Sequence, residues 1–166
     1  DNNPDYITLL YYENNFDAEI KVASAILYQQ ALGHSLATII NYVKSLSEEE
    51  RHKIINTYTS LRTNRRQRPG RAFEMIEYTF EMFTNFGMFR DLHRHRILTL
   101  ERQLLSTRHG YDIPNEIIEL GITKNFKDCM YKCDEVFKII AKDNPEEAQY
   151  AVNFAYRYPY FIKLNL

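Results

Sequence analysis

Hydrophobic and polar positions along this chain fall into two rhythms, and each predicts its own kind of element. Ile7 to Tyr12 is a short β-prone run, set off by Asn, Asp and Pro before it and by Glu-Asn-Asn after it. From Phe16 onward Ile20, Ala23, Ile26 and Leu27 recur at helical spacing, and Gly33 is a plausible stop. A second helix is predicted from about Ser35 to Leu46. Ser47-Glu-Glu-Glu50 then forms a capping-box pattern, in which the hydroxyl takes a free backbone N–H and Glu50 reaches back. Its three carboxylates also suit the positive end of a helix, predicted over 48–61. Arg62 to Arg71 holds no hydrophobic residue to bury, and Pro69-Gly70 signals a turn. The stretch is either a solvated connector or a binding loop.

Downstream, Tyr78–Phe83 reads as a strand, although Glu and Met in Ala72–Phe83 also favour helix. Asp91 to Leu105 reads as a helix with Leu92, Leu98 and Leu105 as its apolar stripe. Gly110 and Pro114 bound the next loop. From Asn125 or Lys127 to Lys142 the pattern is an amphipathic helix, with Met130, Val136 and Ile139 or Ile140 inward. Asn144-Pro145-Glu-Glu is expected to start a short helix, with Asn as N-cap and Pro in the first turn. Tyr156 to Leu166, dense in Tyr, Phe and Ile, reads as a closing strand. Helices with a few separated strands give an α+β fold: a single domain, 1–166, with a small, mainly antiparallel sheet packed against several helices.

Composition narrows the function classes. At 166 residues the chain is long enough to bury a core, and its 45% hydrophobic and 26% charged content is ordinary for a globular protein. No window approaches the roughly 18 uncharged apolar residues of a membrane span. There is no secretory signal, and only Cys129 and Cys133 occur, so the expected setting is cytoplasmic. The first residue is not Met and the last four are Lys-Leu-Asn-Leu, from which a segment of a longer polypeptide is expected. Tyr is abundant, 13 residues with no Trp, and offers ring and hydroxyl together to a ligand, an interface or a core.

The formal charge of −1 conceals local polarity. Five Arg fall within the ten residues 62–71, and Arg90, Arg94, Arg96, Arg102 and Arg108 fall within nineteen. A general nucleic-acid binder would carry a net basic balance, and a single-strand platform would carry aromatics among its Arg residues. Here the positive charge is local, as a small anion requires, and an Arg-rich nucleic-acid-binding module using Arg62–Arg71 stands as a third reading. His93-Arg94-His95-Arg96 is the densest point. Guanidinium forks match phosphate or carboxylate, and imidazole donates or accepts near neutral pH. On a helix these residues would point roughly 100° apart and serve two ligands that meet there, or simply form a solvated face. Cys129 and Cys133 lie one helical turn apart with no further Cys or His to complete a zinc set, so two ordinary helix cysteines are expected and no metal site is assigned. His34 and His52 look isolated. No glycine-rich phosphate loop occurs.

The segment Phe89 to Tyr111 resembles the signature of the flavin-dependent thymidylate synthase family. Arg94-His95-Arg96 matches its Arg-His-Arg core, Thr99 stands at a Ser position, and Ser106-Thr-Arg108-His109 is similar to its Ser-x-Arg-Tyr end. The likeness continues in Arg68-Pro-Gly-Arg-Ala-Phe73-Glu74, in Tyr78-Thr79-Phe80, in Ala148–Asn153 and in the strand ending at Asn165. The resemblance implies methylation of dUMP to dTMP with methylenetetrahydrofolate, FAD carrying hydride from NADPH, in a homotetramer whose sites lie between subunits. By position, Arg94, His95, Arg96, Arg102 and Arg71 would contact flavin. Asp91, Arg94, Ser106 and Arg108 would contact dUMP. Several positions depart from the family. The Arg96-to-Ser106 spacing is two residues longer, Arg102 replaces a flavin-binding Glu, Leu104 a Ser, and Gln149 a phosphate-binding Arg. The family's downstream Arg-containing helix lies beyond Leu166, so the domain is expected to be truncated at its C-terminal end. The same departures imply an alternative: a non-catalytic relative that binds nucleotide or pairs with an intact half.

Overall fold

The computed structural model describes residues 6–165. In chain order the elements are β1 (Ile7–Tyr12), α1 (Asn15–Tyr28), α2 (Leu36–Ser45), α3 (Glu48–Thr59), β2 (Glu77–Asn85), α4 (Phe86–Leu92), β3 (Thr99–Arg102), α5 (Asn115–Glu119), α6 (Thr123–Ile140) and β4 (Arg157–Asn165). Short 3-10 turns occupy Arg71–Met75 and Glu147–Ala151. The four strands form one antiparallel sheet in the order β1-β2-β4-β3, so the class is α+β, as the patterning predicts. Contacts divide the described residues into two compact units, one of 6–9 and 80–162, the other of 10–79 and 163–165.

The second unit is helical. Asn14, Ser35 and Ser47 cap α1, α2 and α3 by accepting backbone N–H groups three residues on, and the Ser47–Glu50 box forms in both directions. Such caps stabilise by about 1 kcal/mol each. α1 packs against α2 and α3 through Ile20, Ala23, Ile39 and Val43, and against the first 3-10 turn through Val22, Ile26, Ala72 and Ile76. Between α1 and α3 lies Arg51, buried, giving Nε to Glu19 at 2.9 Å and Nη1 to the Leu46 carbonyl at 2.6 Å. His52 also meets Glu19, at 2.9 Å, so it is not the isolated residue the sequence suggests.

The first unit is built on aromatic rings. Phe89, buried on α4, lies edge-to-face with Tyr158 and Tyr160 of β4 at 4.7 and 5.0 Å, and stacks on Phe86 at 5.7 Å. The β4 tyrosines spend their hydroxyls internally: Tyr158 donates to the Gln103 carbonyl at 2.7 Å, and Tyr160 bonds Thr84 at 2.9 Å. Just before the strand, Tyr156 donates to the Met130 carbonyl at 2.5 Å, and burial pushes its phenol up to about 12. The hydroxyls of these tyrosines are thus spent within the core.

Three expectations are corrected. Asp91–Leu105 is not one helix: α4 stops at Leu92, a turn follows, and Thr99–Arg102 pairs with β4 as β3. On α6 the inward face holds Met130 and Phe137, while Val136 and Ile139 are exposed. After Asn144 the chain forms only the 3-10 turn Glu147–Ala151; the carbonyl of Asn144 takes the Ala148 N–H, and its side chain caps nothing.

Candidate functional site

The basic turn after α4 owes its shape to a run of short backbone closures. His93 N–H reaches the Phe89 carbonyl at 2.8 Å, Arg94 the Asp91 carbonyl at 3.3 Å, and His95 the Leu92 carbonyl at 2.9 Å. The chain then straightens into β3 because β4 offers it a partner, which outweighs the helical preference of its Leu and Arg residues. Arg94, His95 and Arg96 are thereby left exposed on a turn. Arg94 faces Asp91 at 3.8 Å with both side chains about three-quarters exposed, a pair worth at most about 1 kcal/mol.

Arg102 is brought back to the same region by the sheet. Its guanidinium lies 5.6 Å over the Phe89 ring, and that ring is 5.6 Å from His93. Arg90 sits 5.2 Å over Phe154. The arrangement presents guanidinium and imidazole donors on a rigid aromatic base, which is chemistry suited to phosphate oxygens. Asp91, Arg94, His95, Arg96 and Arg102 all lie on the segment from α4 to β3, and the structure pairs only Arg94 with Asp91 among them.

Ser106 and Arg108 go elsewhere. The loop after β3 is pinned by Gln149, whose Oε1 accepts the Leu105 N–H at 2.9 Å and whose Nε2 donates to the Glu146 carbonyl at 3.0 Å. At a position where the resemblance expects a phosphate-binding Arg, this residue holds backbone. Ser106 Oγ accepts the Arg108 N–H at 3.4 Å, and buried Thr107 donates to Asp134 Oδ1 at 2.6 Å. Arg108 then lines a cleft of about 620 Å³ beside α6, with Tyr111, Tyr131, Asp134, Lys138 and Lys142 among the other walls. None of Asp91, Arg94, His95 or Arg96 lines it.

Sequence reasoning missed Thr107 and the α6 residues. The signal available was the i, i+4, i+8 series Asp134, Lys138, Lys142, an acid followed by two bases on one helical face. Asp134 gives its second oxygen to Lys138 at 2.6 Å, and the bonds from Lys138 and then Thr107 hold its carboxyl below the usual range. His109 lies edge-on to Phe83 at 5.4 Å, and burial, then the charge of Arg108, push its imidazole below the ordinary value.

Arg71 belongs to the helical unit. It forms a salt bridge with Glu74 at 3.2 Å and is almost wholly exposed. The loop before it folds on itself: Arg62 donates to the Gln67 carbonyl at 2.9 Å, and Gln67 Oε1 accepts the Thr63 N–H at 2.6 Å. Gly70, at φ 103, lies against Tyr58, where a Cβ would come within 2.2 Å of the phenol oxygen. Cys133 Sγ, on α6, accepts from Asn153 in the segment before β4 at 3.6 Å.

A family model described as thymidylate synthase complementing protein (Thy1) matches residues 8–166. The chain belongs to this family. Among curated proteins, a UPF0159 protein of Chlamydia pneumoniae is 39% identical over 149 residues, 90% of this chain and 28% of that protein. A UPF0159 protein of Thermoplasma acidophilum is 36% identical over 162 residues, 96% of this chain and 32% of that protein. The chain thus spans about a third or less of the length of these relatives. Among solved structures, a UMP/dUMP methylase PolB from Streptomyces cacaoi, bound with 5-Br dUMP, superposes with a TM-score of 0.63 at 13% identity, covering 96% of this chain and 72% of that one. At that identity the likeness shows a shared fold. The Thy1 match extends on both sides of the basic turn, as the resemblance in sequence requires. Among the described residues, no helix is long and apolar enough to cross a membrane.

Proposed function

We propose that this chain is part of a flavin-dependent enzyme that methylates dUMP to dTMP, with methylenetetrahydrofolate as carbon donor and NADPH as the source of hydride. The observation that carries the reading is the exposed array Arg94-His95-Arg96 on the turn between α4 and β3, with Arg102 at the end of that strand over the Phe89 ring, inside a chain of the Thy1 family. Its donor set fits a diphosphate: planar guanidinium forks and an imidazole, none buried in a competing ion pair. Arg96, His95 and Arg102 would hold the phosphates of FAD, and Arg94 with Asp91 would face the nucleotide. Bound flavin would supply the two-electron chemistry; this chain's residues bind, orient and neutralise charge.

Ser106 and Arg108 are left out of it, because the loop carries Arg108 into the α6 cleft and turns the Ser106 hydroxyl oxygen toward the Arg108 N–H. The basic turn is open to solvent, where charged hydrogen bonds are weak; a working site needs a cover that excludes water. A second copy of the chain in a homotetramer, or another part of a polypeptide as long as the curated relatives, would provide it. The setting is taken to be the cytoplasm. The second reading, a relative that binds nucleotide without catalysing, is favoured by Gln149, which uses its side chain on backbone and has none to offer a phosphate.

The test is equilibrium binding of FAD and of dUMP to the purified protein, followed by tritium release from labelled dUMP in the presence of NADPH and folate. FAD binding that weakens at least about tenfold in Arg96→Ala, at unchanged thermal stability, supports the flavin site. Binding of both ligands without turnover selects the second reading. A protein that binds neither sinks both.

A further inference from the structure

We infer that Glu19, Glu48 and His52 form a site for a divalent metal ion of the zinc type, joining α1 to α3. The sequence of α3 places two of the donors on one face: Glu48 and His52 stand four residues apart, about one helical turn. α1 packs against α3 and supplies the third donor, Glu19, whose Oε1 lies 2.9 Å from His52 Nε2. One ligand atom from each of the three residues falls within 4.8 Å of the other two. Ligands about 2.1 Å from one ion lie no more than about 4.2 Å apart. The wider pairs are those that involve Glu48, an exposed side chain that closes them by a small rotation.

An imidazole nitrogen that faces a carboxylate oxygen needs a proton or a metal ion between them. One neutral imidazole with two carboxylates is a mixed N/O set, which suits zinc, cobalt or nickel better than the all-oxygen preference of calcium or magnesium. Glu19 is held ready for it. Its other oxygen, Oε2, accepts Nε of Arg51 at 2.9 Å, and buried Arg51 is tied in turn to the Leu46 carbonyl at 2.6 Å. Outer partners of this kind fix the orientation of a ligating carboxylate. Glu48 has no ion-pair partner among the described residues, so a cation displaces none there. Two positive features oppose a metal ion, Arg51 and the amino end of α3. The carboxylates of Glu19 and Glu48, with those of Glu49 and Glu50 in the same first turn, outnumber them. Three protein ligands leave a further position for water. Because the donors come from two helices, bound metal fastens α1 to α3 and stabilises the helical unit by mass action.

The site shares no residue with the basic turn or the α6 cleft, so its test is independent of the flavin reading. The experiment is Zn²⁺ calorimetry on the untagged, chelator-treated protein, with a Co²⁺ titration followed by visible absorption and thermal melts in each metal. One equivalent of Zn²⁺ should bind, the cobalt spectrum should lack a thiolate charge-transfer band, and the melting temperature should rise with Zn²⁺. His52→Ala and Glu48→Gln, both at exposed positions, should each weaken Zn²⁺ at least about tenfold, the cost of losing even an outer partner. Both should blunt the metal-dependent rise in melting temperature while the circular dichroism stays that of the parent. The double variant Cys129→Ser, Cys133→Ser and the single variant His95→Ala should keep the parent affinity, which separates this site from the other available donors. Parent affinity in either His52→Ala or Glu48→Gln, loss of binding in the cysteine variant, or Mg²⁺ binding as tightly as Zn²⁺ would each overturn the inference.

Discussion

Replacing Gly70 by Ala tests how the loop that bears Arg71 is held. Gly70 has φ 103 and ψ 155, a backbone region open essentially to glycine alone, so any side chain there costs about 1–3 kcal/mol of strain. The new Cβ would also lie 2.2 Å from the Tyr58 phenol oxygen and 2.6 and 2.7 Å from two of its ring carbons. Because ring carbons are involved, removing the hydroxyl alone does not relieve the clash; the whole ring has to move. Tyr58 packs on the Val22, Ile26, Ala72 and Ile76 cluster and lies 6.4 Å from Phe73, so displacing it forfeits part of its buried area. Taking about half the value of a fully buried large side chain gives roughly 1 kcal/mol more. The expected total is about 2–4 kcal/mol, a large fraction of the stability of a small protein. Urea unfolding should show a lower midpoint with an unchanged slope. In a Tyr58→Ala background the same substitution should cost only its backbone part, leaving a coupling of about 1 kcal/mol in the double-mutant cycle. Equal costs in the two backgrounds would refute the clash, and a cost under about 0.5 kcal/mol would refute the strain as well.

Two further outcomes follow from the first unit. Thr107→Val, which keeps the shape and deletes the donor to Asp134, should cost about 1–1.5 kcal/mol in urea unfolding and raise the Asp134 pKa by NMR, whereas Thr107→Ser should do neither. His109 has a folded pKa below its unfolded value, so the unfolded chain binds the extra proton first. Its contribution to stability is complete above the unfolded value near 6.5, and is lost as pH falls from there through the folded value. His109→Phe should flatten thermal stability over that window, and an unaltered pH profile would contradict the assignment.

Much of this architecture is legible in the sequence where one local signal dominates. β1 is bounded by turn residues at both ends, and the Ser47–Glu50 box fixes where α3 begins, so both appear where the pattern puts them. The misreading of Asp91–Leu105 has a physical origin. Leu92, Leu98 and Leu105 stand six and seven residues apart, which skips the intervening turn of a true helical stripe. Nothing local reveals that β4 needs a partner for its outer edge. On α6, choosing Val136 and Ile139 over Phe137 rotates the apolar face away from the true one, where Met130 and Phe137 are inward and Asp134 lies between them. An acid on a buried-facing stripe hides the stripe, and here it is also the residue that organises the cleft. The basic turn is legible as chemistry but not as geometry: Arg94, His95 and Arg96 stand out in the sequence, while the course of the loop that carries Arg108 depends on tertiary contacts of Gln149 and Thr107.

The same exposure constrains how the proposed enzyme can work. A guanidinium–phosphate contact gains about 1 kcal/mol at 4 Å in bulk water and several times that at the effective dielectric of a protein surface. Arg94, with its side chain about three-quarters exposed, sits near the first limit as long as the turn faces solvent. Hydride transfer to a pyrimidine further requires water to be kept from the reacting atoms. On the proposed reading, then, the residues of this chain supply recognition, and rate enhancement depends on the body that covers them. Flavin affinity should accordingly rise with protein concentration if the cover is a second copy, and be independent of it if the cover is a further segment of the same polypeptide. Ultracentrifugation run alongside the FAD titration separates the two, and concentration-independent binding by a strictly monomeric protein of this length alone would refute the need for a cover.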